Sequence, residues 1–118
     1  MTRIGVAGAG LIGRQHIAAI ERTPGVSLSA VLDPTVTDGP WVIARDLDDL
    51  AQKSDGIILA VPNALHAPMA QALIKLDCPV LIEKPLTGTA AEGVAVVDAA
   101  HKANVPILVG HHRRHNPL

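Results

Sequence analysis

Short apolar runs and helix-like patterns take turns along this chain. Ile4–Ala7 reads as a first strand. Leu11–Arg22 sets Leu11, Ile12, Ala18, Ala19 and Ile20 against Arg14, Gln15, Glu21 and Arg22, the spacing of an amphipathic helix, and Pro24-Gly25 ends it. Leu28–Leu32 is a second run and stops at Asp33-Pro34. Gly56–Val61 (GIILAV) and Val80–Ile82 are apolar at every position, as strands covered on both faces are. Between them, Asn63–Leu76 reads as a helix with Asn63 as its N-cap. Thr89-Ala90-Ala91-Glu92 matches a capping box and opens a helix running to about Asn104, and Val105–Val109 is the last strand.

This alternation predicts an α/β fold: a doubly wound parallel sheet of about six strands joined by right-handed crossovers. One connection breaks the pattern. Only residues 34–40, PTVTDGP, separate the second run from Trp41. A parallel crossover takes about a dozen residues and usually a helix. The helix after strand 2 is therefore expected to be missing, with Trp41–Ala44 as a short edge strand reached by a bare loop. Asp46–Gln52 then reads as a short helix whose acidic first turn suits the helix dipole.

The chain has 118 residues, enough for one domain (1–118) around a single core, and neither repeats nor low-complexity tracts divide it. Ten Lys+Arg face eleven Asp+Glu, so no basic field points to nucleic acid. With one Trp, no Phe and no Tyr, no platform for stacking single-stranded bases can be built. A single cysteine, Cys78, excludes an internal disulfide and a Cys-based zinc site, and with no cation beside it in sequence it reads as structural. The N-terminus runs directly into a strand, unlike a signal peptide, and no apolar run reaches the roughly 18 residues of a membrane span. A cytoplasmic location and no membrane partner are the expectations.

The sharpest chemistry lies in GVAGAGLIGRQH, which holds Gly8-x-Gly10-x-x-Gly13 between the first strand and the first helix. Gly8 permits a tight turn, Gly10 lets backbone approach a pyrophosphate, and Gly13 lets helix and strand pack closely; the backbone at Leu11 and Ile12 belongs to the same phosphate-facing helix start. Asp33 ends the second strand about 20 residues beyond, where an acid can bind the ribose 2′-OH of NAD. No arginine follows in PTVTDGP to hold a 2′-phosphate, and the carboxylate would repel one, so NAD is preferred to NADP. The alternative is a tight turn without a ligand, with Asp33 as a turn residue before Pro34.

Ligands of such sheets bind outside the carboxyl ends of the strands. There the third strand runs into Pro62-Asn63 with His66 nearby, the next ends in Glu83-Lys84-Pro85, and the last in Gly110 followed by HHRRHNP. Taken together, VAGAGLIG, VPNALHA, IEKPLTG and VGHHRRHNP resemble the N-terminal domain of the glucose–fructose oxidoreductase/myo-inositol dehydrogenase (Gfo/Idh/MocA) family across essentially the whole chain. The resemblance implies an NAD(P)-binding Rossmann fold and hydride transfer between nicotinamide and a hydroxyl-bearing carbon of a sugar or cyclitol as small-molecule substrate. It implies Lys84 beside the nicotinamide as the catalytic residue, and Glu83 near the nicotinamide ribose. It further implies Pro62, Asn63 and His66 along the cofactor channel, Arg113 at the nicotinamide end, and a cis peptide before Pro85.

Three departures from the family pattern stand out. The family's C-terminal substrate domain is absent from this sequence, so the chain alone is expected to be inactive and its unpartnered apolar surface to drive homo-oligomer formation. The helix after strand 2 is missing, and histidines, His111 and His115, replace the usual aromatic residues of the last motif. On the residues alone, Lys84 either acts on substrate or pairs with Glu83, and His66 either lines the channel or is a solvated surface residue. His111, His112 and His115 do not suggest a metal site, because Arg113 and Arg114 add repelling charge and no carboxylate lies nearby. A second function class stays open: a stand-alone dinucleotide-binding sensor without catalysis.

Overall fold

The computed structural model describes residues 2–37, 39–83 and 90–110. Its strands are β1 (Thr2–Ala7), β2 (Val26–Leu32), β3 (Gly56–Leu59), β4 (Val80–Glu83) and β5 (Ile107–Gly110). Its helices are α1 (Leu11–Arg22), α2 (Leu47–Lys53), α3 (His66–Lys75) and α4 (Ala90–Ala103). All strand pairs are parallel, in the order β2-β1-β3-β4-β5, so β1, first in sequence, is central in space.

Successive strand residues point to opposite faces, and the sequence supplies apolar residues to both. On one face Ala7, Leu59 and Ile82 pack with Leu50 of α2, Leu73 of α3 and Val96 of α4. On the other, Val6, Val31 and Ile58 pack with Ile17 and Ile20 of α1. The chain leaves β1 in one direction to reach β2 and later passes β1 in the other to reach β3. Right-handed crossovers therefore put α1 on one face and the later helices on the opposite one. Among the described residues no helix covers the α1 face over β4 and β5. An apolar groove of about 380 Å³ lies there between α1 and Ile58, Leu81 and Leu108, the last 67 % exposed.

Each turn at the amino edge of the sheet is tied to a neighbouring strand by a backbone hydrogen bond. Thr2 donates to the Gly25 carbonyl (3.1 Å), Asp55 to Arg3 (2.7 Å), Ile57 to Pro79 (3.0 Å) and Val80 to Pro106 (3.2 Å). Cys78 is buried at this edge, where desolvation, helped by the charge of Asp55, pushes its thiol up from the usual range. It is a core residue, as its sequence context suggested.

Three local expectations are corrected. The sheet has five strands; Trp41–Ala44 contributes only one parallel bridge, Val31 to Ile43, with Val31 N–H donating to Val42 (2.8 Å) and Ala44 N–H to Val31 (2.9 Å). The Asp33–Pro40 turns deliver the chain beside β2 for one residue pair before Asp46 commits it to α2. No helix intervenes among the described residues of that connection, as expected. Asn63 is not an α-helix cap: it opens a 3-10 turn, Asn63–Leu65, and the α-helix begins at His66 with Leu65 as N-cap. Pro68 explains this. A helix capped at Asn63 would put the proline, which has no N–H, where a bond to residue 64 is required; a start at His66 puts it in the first turn, where none is. Asp46 stands just outside α2 as its N-cap, its carboxylate accepting from Asp49 N–H (2.8 Å). The capping-box Thr89 lies outside the described residues.

Candidate functional site

After Ala7 the chain must reverse from β1 into α1 within three residues. Gly8 does so at φ +100°, in the left-handed region, while its N–H donates to the Leu32 carbonyl (2.8 Å). A side chain there would also strike the Ala60 carbonyl of the neighbouring loop. Gly13, in the first turn of α1, lies against the Gly8 carbonyl with no room for a Cβ. Gly10 is different: a Cβ on it would meet nothing within 4 Å. It is the N-cap of α1 and supplies no side-chain acceptor, so the N–H groups of the first turn are left for a ligand.

Asp33 follows β2 directly and is bound into this turn. Its Oδ2 accepts from Ala9 N–H (2.6 Å), and its Oδ1 from the Thr35 N–H (2.8 Å) and hydroxyl (2.6 Å). The Thr35 hydroxyl most of all holds the carboxyl below the usual carboxylate range, against the opposing effect of burial; the Ala9 and Thr35 amides and the charge of Arg14 add to it. Asp33 is therefore an ionised acceptor fixed beside the glycine turn.

A cleft of about 1180 Å³ runs across the carboxyl edge. Gly8–Ile12 form its floor, Asp33–Thr37 and Ile43–Arg45 one wall, and Ala60–Pro62 with Leu65 and Met69 the other. A helix N-terminus at its centre and a fixed carboxylate acceptor at one end are groups suited to the pyrophosphate and ribose hydroxyls of a dinucleotide. The residues present fit the cofactor that the glycine motif implies.

Of the residues singled out from sequence, the structure brings Gly8, Gly10, Leu11, Ile12, Asp33 and Pro62 together on this cleft, with Gly13 packed directly beneath. Asn63 opens the 3-10 turn at the cleft wall. His66 is only 1 % exposed, and its Nε2 lies 2.9 Å from the Val61 carbonyl. It is a buried residue behind the wall, bracing Val61-Pro62, and not a solvated one. Glu83 ends β4 level with Gly110 of β5, at the same edge. Lys84, Pro85, His111, His112, Arg113 and His115 lie outside the described residues. Among those described, no three His, Cys, Asp or Glu side chains are grouped to hold a metal, and no helix is long and apolar enough to cross a membrane.

Sequence reading missed three contributors. Thr35 could have been found: Asp-Pro-Thr is a sequence for an aspartate turn that bonds two residues ahead. Arg14 reads as a solvent-facing helix residue, yet its Nε donates to the Ala9 carbonyl (2.9 Å) and its guanidinium lies 5.2 Å from the Trp41 ring centroid. Arg45 is placed on the wall by buried Asp49, which accepts its N–H (2.9 Å) and also pairs with Lys53. Nothing local announces either arginine.

Comparison with known proteins agrees with this geometry. Residues 2–111 match a family model described as an oxidoreductase family with an NAD-binding Rossmann fold. The chain is 33% identical to an inositol 2-dehydrogenase of Corynebacterium glutamicum, over 98% of this chain and 38% of the relative. It is 36% identical to inositol 2-dehydrogenase 4 of Saccharopolyspora erythraea, over the same shares. The chain thus spans under two-fifths of the length of these relatives. Its fold superposes on a UDP-N-acetylglucosamine 3-dehydrogenase of Acidithiobacillus ferrooxidans with a TM-score of 0.88 at 24% identity, over 98% of this chain and 40% of that one.

Proposed function

Because the chain belongs to the Gfo/Idh/MocA family of NAD-binding Rossmann-fold oxidoreductases, we propose that it is the cofactor domain of an NAD-dependent dehydrogenase acting on a hydroxyl-bearing carbon of a sugar or cyclitol. The observation that carries this reading is the joining of the glycine turn to Asp33 through Ala9 N–H, which sets a phosphate cradle and a ribose acceptor in one rigid unit. The substrate class is supported by the inositol 2-dehydrogenases among the relatives.

When bound, the nicotinamide supplies the hydride chemistry. This chain's part is to bind, orient and handle the proton. The first-turn N–H groups of α1 and the open Cα of Gly10 take the pyrophosphate. Asp33 takes the adenosine ribose, and its charge favours NAD over NADP. His66 and Val61 hold the Pro62 wall in place along the cofactor. At the far end Lys84, following Glu83 and β4, is proposed as the catalytic residue that exchanges the proton of the substrate hydroxyl. Arg113, after β5, is proposed to sit at the same end.

Titration calorimetry of residues 1–118 with NAD⁺, NADH and NADP⁺ tests the reading. Binding of NAD(H) near micromolar, about −8 kcal/mol, with NADP⁺ weaker, is expected; no binding of any of the three would remove the cofactor assignment from this chain. In a catalytically active protein carrying this domain, Lys84→Ala should leave NAD⁺ binding within about tenfold, about 1.4 kcal/mol, and abolish turnover. Surviving turnover would take Lys84 out of the chemistry.

A further inference from the structure

Arg14 stands beside the cleft, in a place that its position on α1 did not suggest. Its Nε is committed to the Ala9 carbonyl and its guanidinium rests against Trp41. The terminal nitrogens make no hydrogen bond to the described residues, so most of the five N–H donors of the fork remain to be used. Beside them opens a second cavity of about 290 Å³, lined by Arg14, Thr35–Thr37, Pro40 and Trp41. Thr35–Thr37 also line the main cleft, so the two spaces share this wall. The guanidinium is anchored to the same residue, Ala9, whose N–H holds Asp33. A carboxylate and an arginine thus stand close enough for the arginine's charge to act on the carboxylate, beside the end of the cleft where the adenosine ribose is proposed to lie.

We infer that Arg14 is a specificity-determining residue at the 2′ position of that ribose, where it donates to a 2′-phosphate and offsets the repulsion from Asp33. The inference rests on the dinucleotide reading above. A planar guanidinium is the side chain best matched to phosphate, and one already fixed by Ala9 and Trp41 loses little freedom on binding it. The loop of residues 34–40 has no cation of its own, so Arg14 reaches the point from the opposite element. The cavity beside Trp41 gives the phosphate room. This chain should therefore tolerate NADP⁺ better than Asp33 alone would allow.

The test compares NAD⁺ and NADP⁺ binding by calorimetry in wild type, Arg14→Ala, Asp33→Asn and the double variant, with thermal unfolding as a control for folding. Arg14→Ala should weaken NADP⁺ by about tenfold or more and NAD⁺ by no more than about threefold. Asp33→Asn should strengthen NADP⁺, and adding Arg14→Ala should remove that gain. Arg14→Lys should keep part of the NADP⁺ affinity, as a point charge without the fork. Equal losses for both cofactors in Arg14→Ala would reduce Arg14 to a strut between the glycine turn and Trp41; no loss for either, or no NADP⁺ binding even in Asp33→Asn, would equally overturn the inference. In all three cases NAD⁺ binding by wild type would leave the cofactor reading standing, whereas wild type that binds neither cofactor sinks both.

Discussion

Gly13→Ala is expected to destabilise the fold and erase cofactor binding together. The added methyl would lie on the Gly8 carbonyl oxygen and 2.7 Å from its carbon. Neither side can yield: Gly8 is tied to Leu32 by its N–H, and α1 is anchored by buried Ile17 and Ile20. Overpacking of this kind costs about 1–3 kcal/mol, and the helix start must tilt away from the pyrophosphate position. Urea unfolding and titration with NAD⁺ read the two losses. Gly10→Ala provides the opposite signature. Its φ of −74° suits alanine and its surroundings are open, so stability should stay within about 1 kcal/mol of wild type. The methyl would nevertheless occupy the space the phosphates approach, and binding should fall by more than about tenfold. Tight NAD⁺ binding by Gly10→Ala would mean that the cradle lies elsewhere.

Asp33→Ala should weaken NAD⁺ far more than NADP⁺. Hydrogen bonds to a charged acceptor are worth about 1.5–3 kcal/mol, so NAD⁺ is expected to lose about tenfold to a hundredfold. NADP⁺ loses the ribose contacts but is also relieved of a repelling carboxylate; equal losses for both would show that Asp33 does not read the ribose. The same residue sets a pH dependence. Its folded-state pKa is depressed, chiefly by the Thr35 hydroxyl. Its contribution to stability is therefore fully present above the unfolded carboxylate value and is lost as pH falls through the lower folded value. Thermal unfolding from neutral pH downward should stay level with respect to this group until the acid range, and the acid-side loss should shrink in Asp33→Asn.

The strands were legible because a parallel sheet covered on both faces needs unbroken apolar runs, and GIILAV or VLI can be little else. The bounds of α1 were legible for a similar reason: Gly10 before it and Pro24-Gly25 beyond it leave few choices. The cofactor edge was legible as a set of strand ends, since topology places them there whatever their side chains. What escaped was whatever depends on register between distant segments. Ala9 and Asp33 are 24 residues apart and meet only because Ala7 pairs with Leu32. Arg14 meets Trp41 only because a bare loop brings residue 41 back beside β2. The helix start at His66 is written in Pro68, whose steric demand overrides the capping preference of Asn63. Lys84 and Arg113, carried by resemblance alone, remain proposals.

The two edges of the sheet also divide the work of inheritance. At the amino edge, turns as short as Pro24-Gly25 and Ser54-Asp55 are tied to neighbouring strands through their backbones, so changes of length there disturb the register of the sheet. At the carboxyl edge the connections bear on the cleft and can vary while the strands stay put; the passage from Asp33 to Asp46 holds no helix among its described residues. A lineage can then alter which cofactor phosphate or substrate it accepts by editing one rim, while the opposite rim conserves the scaffold.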